Sequence, residues 1–337
     1  MSLQKLQHDI IPLIENNLQL YLNAYDFGSS QTLKSMLSYH MGWEDNKGTG
    51  KRVRPFLMLL FVQALGGKID SAMPGAVALE FLHNFTLIHD DIEDQSAYRH
   101  GRETLWQRWG ISQAVNAGDA LFSIAQLAVL KLVQSCNPTT ALTAARRFNQ
   151  VCLQLTRGQY LDIAFETDDS VDVETYFEMI GGKTAALIAF STELAGIITG
   201  QEEPTIKLLS DYGQGLGFAF QILDDILGIW GDSTLTGKSS ASDLLTKKKT
   251  LPILYGLKEC PEFHDLWDEM LPSPQQVAVM AALLETCGAQ KYARDEAEKE
   301  TRKTFHILDQ LFPEGQDRNL DVQAIIEFSQ KLLSRRV

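Results

Sequence analysis

Residues 76–94 read AVALEFLHNFTLIHDDIED, and this stretch decides the fold. Its apolar residues recur at spacings of three and four, which is the pattern of an α-helix with one buried side. The run ends in Asp90, Asp91 and Asp94, and residues four apart lie on the same face of a helix. Because like charges at that spacing repel, we expect a bound cation, and Mg²⁺ is a hard cation that carboxylates hold.

A second pair of neighbouring aspartates, Asp224 and Asp225, follows another apolar run with helical spacing. The two pairs are separated by far more residues than one helical hairpin contains. They can therefore meet only through the tertiary structure, and we predict that both face one deep central cavity.

Length and composition bound the architecture. The chain has 337 residues, 45% of them hydrophobic, which is enough to build a substantial core. No Pro-, Gly- or Ser-rich tract separates one half from the other, and no alternating strand pattern competes with the helical spacing. We therefore predict an all-α fold, a single-domain bundle of about a dozen helices over residues 1–337.

Charge and cysteine usage exclude several classes of protein. A net charge of −13 argues against general nucleic-acid binding, which normally requires a basic surface. The four cysteines have no metal-like spacing, and the N-terminus does not resemble a signal peptide, so we expect a cytoplasmic protein. The apolar stretch 55–67 is too short to cross a bilayer, and we predict no membrane span.

The few cations are informative through their positions. GKRVRP at residues 50–55 places three cations at a predicted helix N-terminus, where backbone N–H groups attract anions. A Gly-, Ser- and Thr-rich segment, 231–243, precedes three lysines at 247–249, and we interpret it as a basic lid that closes over a charged substrate. Acidic helices and cations together indicate a metal-bound diphosphate.

With these motifs the chain resembles the trans-type isoprenyl diphosphate synthases over nearly its whole length. The matching motifs follow the family's order: GKRxRP at 50–55, ExxH at 80–83, LIHDDxxD at 87–94, GQxxD at 158–162, KT at 183–184, FQxxDD at 220–225, TGK at 236–238 and KxTLP at 248–252. Any one of them can arise by chance, but together and in this order they are specific.

The resemblance implies a helical homodimer that condenses an allylic diphosphate with isopentenyl diphosphate, using three Mg²⁺ ions per active site. The metal ligands would be Asp90, Asp94 and Asp224. Asp91 and Asp225 would contact these ligands or reach the metal through water, and these five acids with Lys183 and Lys238 would form the catalytic set.

The resemblance also assigns the two diphosphate sites. The allylic diphosphate would be bound by Arg99, Lys183 and Lys238. Isopentenyl diphosphate would be bound by Lys51, Arg54, His83 and His100. Three further residues fall in matching motifs and are expected to bind substrate: Thr184, Gln221 and Lys248. No protein nucleophile is needed, because ionisation of the allylic diphosphate is assisted by charge alone.

The sequence departs from the family's common pattern at three positions. Gly228 stands where many members have a third aspartate in the second motif. His100 replaces an arginine, which gives up a permanently charged fork for a group that is cationic only when protonated. Glu103 replaces a proline, and we have no functional explanation for it.

Two residues before the first acidic motif are predicted to set product length. Phe85 and Thr86 lie about one turn before Asp90, and in the resembling family bulk at these positions limits chain growth. An aromatic residue followed by a small one resembles the pattern for C15 to C20 products, and we favour C20.

Several neighbouring residues have a simpler interpretation. We expect Lys247 and Lys249 to be solvated, and His89 to be a packed helix residue rather than a metal ligand. Gln159 and Asp162 can equally bridge helices or face the substrate.

Two other functions stay open at this point. A class I terpene cyclase also ionises an allylic diphosphate with aspartates, but it needs no isopentenyl diphosphate site. A regulatory subunit of a heteromeric synthase would have eroded acidic motifs, whereas the first motif here is intact.

Overall fold

Long helices form where the sequence has its apolar spacing. The computed structural model describes residues 2–44, 50–231, 241–268, 273–313 and 320–334. These residues are helical almost throughout, with one two-stranded hairpin among them, and the predicted all-α fold is confirmed.

The first part of the chain contains six helices and the hairpin within the described residues. In order they are α1 (Leu3–Asn23), α2 (Gln31–His40), α3 (Val53–Ala64), α4 (Ile69–Glu93), β1 (Tyr98–Arg99), β2 (Arg102–Glu103), α5 (Leu105–Trp109) and α6 (Ile111–Leu130), followed by a 3-10 turn at Lys131–Gln134.

The helices of the remaining described residues are longer on average near the middle of the chain. They are α7 (Pro138–Ala164), α8 (Val173–Ile180), a π-helical turn at Gly181–Ala185, α9 (Ala186–Ile198), α10 (Glu203–Trp230), α11 (Ser242–Leu245), α12 (Leu251–Glu259), α13 (Pro261–Asp268), α14 (Pro274–Thr286), α15 (Ala289–Leu311) and α16 (Leu320–Leu333).

The chain forms two compact units. Unit 1 contains Met1–Asn149, Phe190–Lys207 and Asp317–Ile326, and unit 2 contains Gln150–Ala189, Leu208–Gln316 and Glu327–Val337. The single domain expected over residues 1–337 stays a prediction.

Unit 1 is built around α4, which packs against α3 and α6. Every residue of α3 from Pro55 to Val62 is buried, as expected for a helix that is apolar on all sides. The apolar residues of α4 between Ala72 and Leu82 are also buried, so the core fixes this helix up to the point where its acidic residues begin.

Unit 2 is built around the short helix α12, which packs against α8, α13, α14 and α15. One buried cluster joins Tyr176 of α8 to Ile222 and Ile226 of α10 and to Leu251 of α12. This cluster lies beside the second acidic motif and fixes the helix that carries it.

The structure differs from the predicted elements in two instructive places. The apolar spacing of residues 172–198 predicts one continuous helix. In the structure the backbone hydrogen bonding becomes π-helical at Gly181–Ala185. The helices α5, α11 and α13 and the hairpin are absent from the prediction, because none of them is long enough to show a periodic pattern.

Candidate active site

The first acidic set lies at the C-terminal end of α4. Asp90 and Asp91 belong to its last turn and Asp94 caps it, so their carboxylates gather where the helix dipole is negative. The side chain of Asp91 is 3% exposed. Burial raises the pKa of Asp91 to about 6, Arg99 opposes this effect, and Asp90 and Asp94 add to it. Added positive charge would stabilise this set.

A short hairpin positions Arg99 beside the first acidic set. His100 and Gly101 join β1 to β2 with φ of +50° and +74°. Positive φ at both residues of a two-residue loop gives the turn that matches the twist of the strands. Arg99 donates from Nε to Asp91 Oδ1 at 2.8 Å and from Nη2 to Asp90 Oδ2 at 3.3 Å.

Unit 1 brings together the residues predicted to bind isopentenyl diphosphate. Burial, Arg54 and Arg99 hold the pKa of His83 well below its ordinary value. The pKa of His100 is also lowered, by burial, by Arg99 and by Lys51 among others. Arg54 and Lys51 each act on one of these histidines and Arg99 acts on both, so the positive potential around them suits a diphosphate.

Arg52, the middle cation of GKRVRP, belongs to a buried network instead. Its Nε donates to Glu15 Oε1 at 2.5 Å and its Nη1 to Glu80 Oε1 at 2.7 Å, and its side chain is 2% exposed. Burial lowers the pKa of Arg54 to about 10, and Glu80 opposes that effect. Arg52 therefore joins α1, α3 and α4 through its ion pairs. Its neighbours Lys51 and Arg54 are the cations of this motif that can bind an anion.

The chain-length residues pack in unit 1 as an aromatic group. The ring centroid of Phe85 lies 4.7 Å from that of His89 and 4.9 Å from that of Phe122. The Thr86 hydroxyl donates to the carbonyl of His83 at 2.7 Å. His89 packs against an aromatic ring, and its Nε2 is 3.7 Å from Asp119 Oδ1.

The second acidic set lies on α10 in unit 2. Asp225 is 3% exposed and accepts hydrogen bonds from Tyr176 Oη at 2.6 Å, Gln221 Nε2 at 2.9 Å and the Leu251 backbone N–H at 3.4 Å. Burial raises the pKa of Asp225 to about 7, and Tyr176 opposes that rise. Both oxygens of Asp225 are therefore engaged, whereas its neighbour Asp224 is partly exposed.

The π-helical turn positions two predicted substrate-binding residues. Lys183 donates to Asp162 Oδ2, and the Thr184 hydroxyl donates to Gln221 Oε1 at 2.7 Å. A side chain at Gly158 would overlap the backbone N of Lys183, so the glycine allows α7 to approach the turn closely. π-Helical turns occur often at functional sites.

Asp162 collects two of the predicted cations. Lys183 pairs with its Oδ2, and Lys248 Nζ lies 3.6 Å from the same oxygen. Burial would raise the pKa of Asp162, but Lys248 and Lys183 hold it below its ordinary value. Unit 2 therefore holds Lys183, Lys248 and Asp162 as one charged group.

The expectation that Lys247 and Lys249 are solvated is wrong. Lys249 is buried, with 7% of its surface exposed, and its Nζ donates to the Asp168 carbonyl at 2.6 Å. Lys247 is half-buried and donates to the Trp267 carbonyl at 2.6 Å. Both contacts join residues that are distant in sequence, which no local pattern reveals.

Gly228, which departs from the family's second motif, contacts another carboxylate. A Cβ at this position would overlap the side chain of Asp243, which lies on α11. The absence of a side chain at 228 therefore makes room for an acid from elsewhere in the chain. Lys238 and the lid predicted over 231–243 fall mainly on residues 232–240, which lie outside the described part of the chain.

Sequence reasoning missed three residues that hold the site in place. Tyr176 binds Asp225 from 49 residues away, and Glu15 and Glu80 bind Arg52 from 37 and 28 residues away. Only Glu80 had a signal, since it opens the ExxH motif.

The donor set fits Mg²⁺. Both acidic sets offer hard carboxylate oxygens, and the first is crowded at the negative end of a helix. Among the described residues, no three acidic, His or Cys side chains already form a closed metal site. Mg²⁺ commonly takes one or two protein carboxylates together with phosphate and water.

Comparisons with known proteins agree on one family. The profile of the family described as "Polyprenyl synthetase" matches residues 31–287. A (2E,6E)-farnesyl diphosphate synthase from Mycobacterium bovis is 36% identical over 82% of this chain and 80% of its own length. A geranylgeranyl diphosphate synthase from Mycobacterium tuberculosis is 38% identical over 69% of this chain and 67% of its own.

A solved structure covers nearly the whole chain. The polyprenyl synthetase from Streptomyces coelicolor superimposes with a TM-score of 0.87 at 31% identity, over 98% of this chain and 100% of its own.

Proposed function

The chain belongs to the polyprenyl synthetase family, and from that premise we propose how its residues serve the reaction. It is a short-chain trans-prenyltransferase that uses an allylic diphosphate and isopentenyl diphosphate, and its family uses Mg²⁺. Within that class we propose a C20 product, with C15 next, and three Mg²⁺ ions per active site.

The bond changes decide which groups are needed. The C–O bond between the allylic C1 and its diphosphate breaks, the double bond of isopentenyl diphosphate forms a new bond to that carbon, and a proton leaves for the departing diphosphate. Negative charge grows on the departing group, so preorganised cations lower the barrier. When bound, Mg²⁺ supplies part of this positive charge.

We assign the leaving diphosphate to the acidic sets and the cations beside them. Asp90, Asp94 and Asp224 would hold Mg²⁺, and Arg99 and Lys183 would bind the diphosphate oxygens directly. The contacts of Arg99 with Asp90 and Asp91 support this role, because they hold the guanidinium beside the acids in advance. Asp91 and Asp225, both buried, would orient their partly exposed neighbours Asp90 and Asp224.

The observation that carries the function is the second cluster of cations in unit 1. Burial, Arg54 and Arg99 lower the pKa of His83, and burial, Arg99 and Lys51 among others lower that of His100, so Lys51 and Arg54 add positive charge here that is not assigned to the metal-bound diphosphate. We assign this cluster, with Lys51 and Arg54, to isopentenyl diphosphate. A terpene cyclase has no use for it.

One incubation tests the proposed reaction. The protein is mixed with Mg²⁺, labelled isopentenyl diphosphate and, separately, dimethylallyl, geranyl or farnesyl diphosphate, and the chain length of the product is read. We expect label in an all-trans C20 product, with EDTA abolishing it. Consumption of the allylic diphosphate without label would indicate a cyclase, and no turnover would indicate a regulatory subunit.

We also propose that the chain is a homodimer through the outer face of α6. Large apolar side chains on this helix are exposed: Ile111, Val115, Leu127 and Leu130. The stretch Ile111–Gln134 is, in the described part of the chain, the one with the length and hydropathy of a membrane span, and 44% of its apolar window is buried in the protein. A half-buried apolar helix suits an interface between copies.

The mass in solution tests this interface. The wild type is expected to run as a dimer in light-scattering chromatography, and a double change, Leu127→Glu with Leu130→Glu, as a monomer. A monomeric wild type would contradict the proposal.

We further propose a cytoplasmic location, which the free cysteines support because reducing compartments keep thiols unpaired.

A further inference from the structure

Three consecutive lysines, Lys247, Lys248 and Lys249, extend to three different places in unit 2. The turn that carries them is fixed by the backbone, because the Lys248 N–H donates to the Asp243 carbonyl at 2.9 Å. Their side chains therefore leave one short turn in separate directions, and each has its own partner.

Lys249 is the most buried of the three. Its side chain is 5% exposed, and its Nζ donates to the Asp168 carbonyl at 2.6 Å and to Asp169 Oδ1 at 3.2 Å. A buried ammonium is costly unless it is hydrogen-bonded, so these contacts hold the lysine in one place. The Asp169 side chain is fully exposed, which makes the carbonyl of Asp168 the firmer partner.

Lys247 holds the other end of the turn. Its backbone has φ of +52°, a left-handed conformation that is unfavourable for a residue with a side chain. Its Nζ donates to the Trp267 carbonyl at 2.6 Å and lies 5.7 Å from the centroid of the Trp267 ring. The backbone is thus held in a strained turn by a side-chain contact to α13.

Lys248 lies between these two contacts and extends to the charged group around Asp162. Its Nζ is 3.6 Å from Asp162 Oδ2, which also accepts from Lys183, and its side chain is 41% exposed. A lysine side chain loses conformational entropy when it is fixed on a ligand. A turn that already aims Lys248 reduces that loss.

We propose that Lys249, with Lys247, is a positioning residue that aims Lys248 at the allylic diphosphate. This inference rests on the proposed function, in which Lys248 binds substrate. It predicts that Lys249 acts through Lys248 and therefore has no separate effect on substrate binding once Lys248 is removed.

A double-mutant cycle tests this dependence. Lys248→Met, Lys249→Met and the double variant are compared through KM for the allylic diphosphate, KM for isopentenyl diphosphate, kcat and Tm. We expect each single change to raise KM for the allylic diphosphate by about tenfold and the double change by about the same factor, as for two residues in one interaction. KM for isopentenyl diphosphate is expected to stay within about twofold, inside the usual error of additivity.

Two further variants separate positioning from a general structural role. Lys249→Arg keeps a buried donor and is expected to recover part of the lost affinity. Lys258→Met removes an exposed lysine of the neighbouring helix α12, with 78% of its side chain exposed, and is expected to change neither KM. If Lys249→Met does not fold, the same cycle is made with Lys247→Met, for which we expect the same lack of additivity.

The failures of the two proposals are distinguishable. A wild type that does not extend any allylic diphosphate removes the proposed function. A wild type that is active while Lys248→Met has no effect, or while the double variant loses about a hundredfold, removes the positioning role of Lys249. An unchanged KM in Lys249→Met would do the same.

Discussion

At the scale of single residues, Gly228 shows how the site is completed from a distance. Position 228 carries an acid in many members of the family but is a glycine here. The carboxylate of Asp243 occupies the space that a side chain at 228 would need. The acid on α11 is therefore the local neighbour of the second acidic set, and it adds to the rise in the pKa of Asp225.

Restoring the missing acid is expected to harm the protein. Gly228→Asp would overlap the Asp243 carboxylate and place like charges together, which we expect to lower the free energy of unfolding by about 1–3 kcal/mol. Chemical denaturation measures this loss, and Gly228→Ala separates the overlap from the charge. A variant as stable as the wild type, with tighter Mg²⁺ binding, would contradict this account of Gly228.

Phe85 is the residue expected to limit product length. Its ring is packed between His89 and Phe122, so Phe85→Ala opens space without removing a charge. We expect products longer than those of the wild type, measured by chromatography of the labelled prenyl chains. Leu20→Ala, at an exposed position on α1, is the control. Identical products from Phe85→Ala would remove Phe85 as the limiting residue.

At the scale of elements, the C-terminal end of α4 carries the first acidic set. The sequence predicted that Asp90 and Asp94 lie at the end of a helix, and α4 ends at these residues. This position could be predicted because helical periodicity depends only on neighbouring residues. The hairpin and the π-helical turn escaped prediction. Each depends on close packing with another element, such as α7 at Gly158, rather than on its own sequence.

The ion pairs of Arg52 are expected to stabilise the packing of α1, α3 and α4. Glu80→Ala leaves a buried guanidinium with Glu15 as its remaining carboxylate partner in the network, and we expect a loss of roughly 3 kcal/mol, at the low end of the cost of breaking a buried pair. Chemical denaturation measures the loss.

An exposed pair supplies the control for Glu80. Glu298 and Arg302 on α15 are each 71% exposed at 3.4 Å, so Glu298→Ala is expected to cost less than about 1 kcal/mol. Equal losses from the two changes would show that the Arg52 network does not hold α1, α3 and α4 together.

At the scale of the whole molecule, buried histidine links stability to pH. Burial and the nearby Arg99 lower the pKa of His40 to about 3, whereas an unfolded histidine titrates near 6.5. Between these two pKa values the unfolded chain binds more protons at His40 than the folded protein does. The contribution of His40 to the free energy of unfolding is therefore complete above pH 6.5 and is lost as the pH falls toward 3.

The contribution of His40 is measured by difference. The raised pKa values of Asp91 and Asp225 change the free energy of unfolding with pH in the direction opposite to His40. Both acids are present in the wild type and in His40→Gln, so their effect cancels in the difference. Because His40 is only part-buried as a residue, we expect the wild type to lose about 1 kcal/mol more than His40→Gln between pH 7 and pH 5. Parallel pH profiles of unfolding would contradict a His40 that is neutral in the folded protein at pH 5.

What could be predicted from the sequence follows from the range of the interactions. The helical class and the positions of the acidic motifs depend on neighbours within one or two turns, and they were predicted. The hydrogen bond from Tyr176 to Asp225, the burial of Lys249 and the approach of Asp243 to Gly228 join distant parts of the chain, and no local pattern specifies them.

We propose that Asp90 and Asp224 each bind the Mg²⁺ of the allylic diphosphate, and calorimetry of inorganic pyrophosphate with Mg²⁺ is the sharpest check of this assignment. The wild type, Asp90→Asn and Asp224→Asn are compared, with Asp295→Asn at an exposed position of α15 as control. We expect each active-site change to weaken binding by at least about tenfold, since each removes a charged ligand worth more than about 1.4 kcal/mol. Undiminished binding in either active-site variant would contradict it.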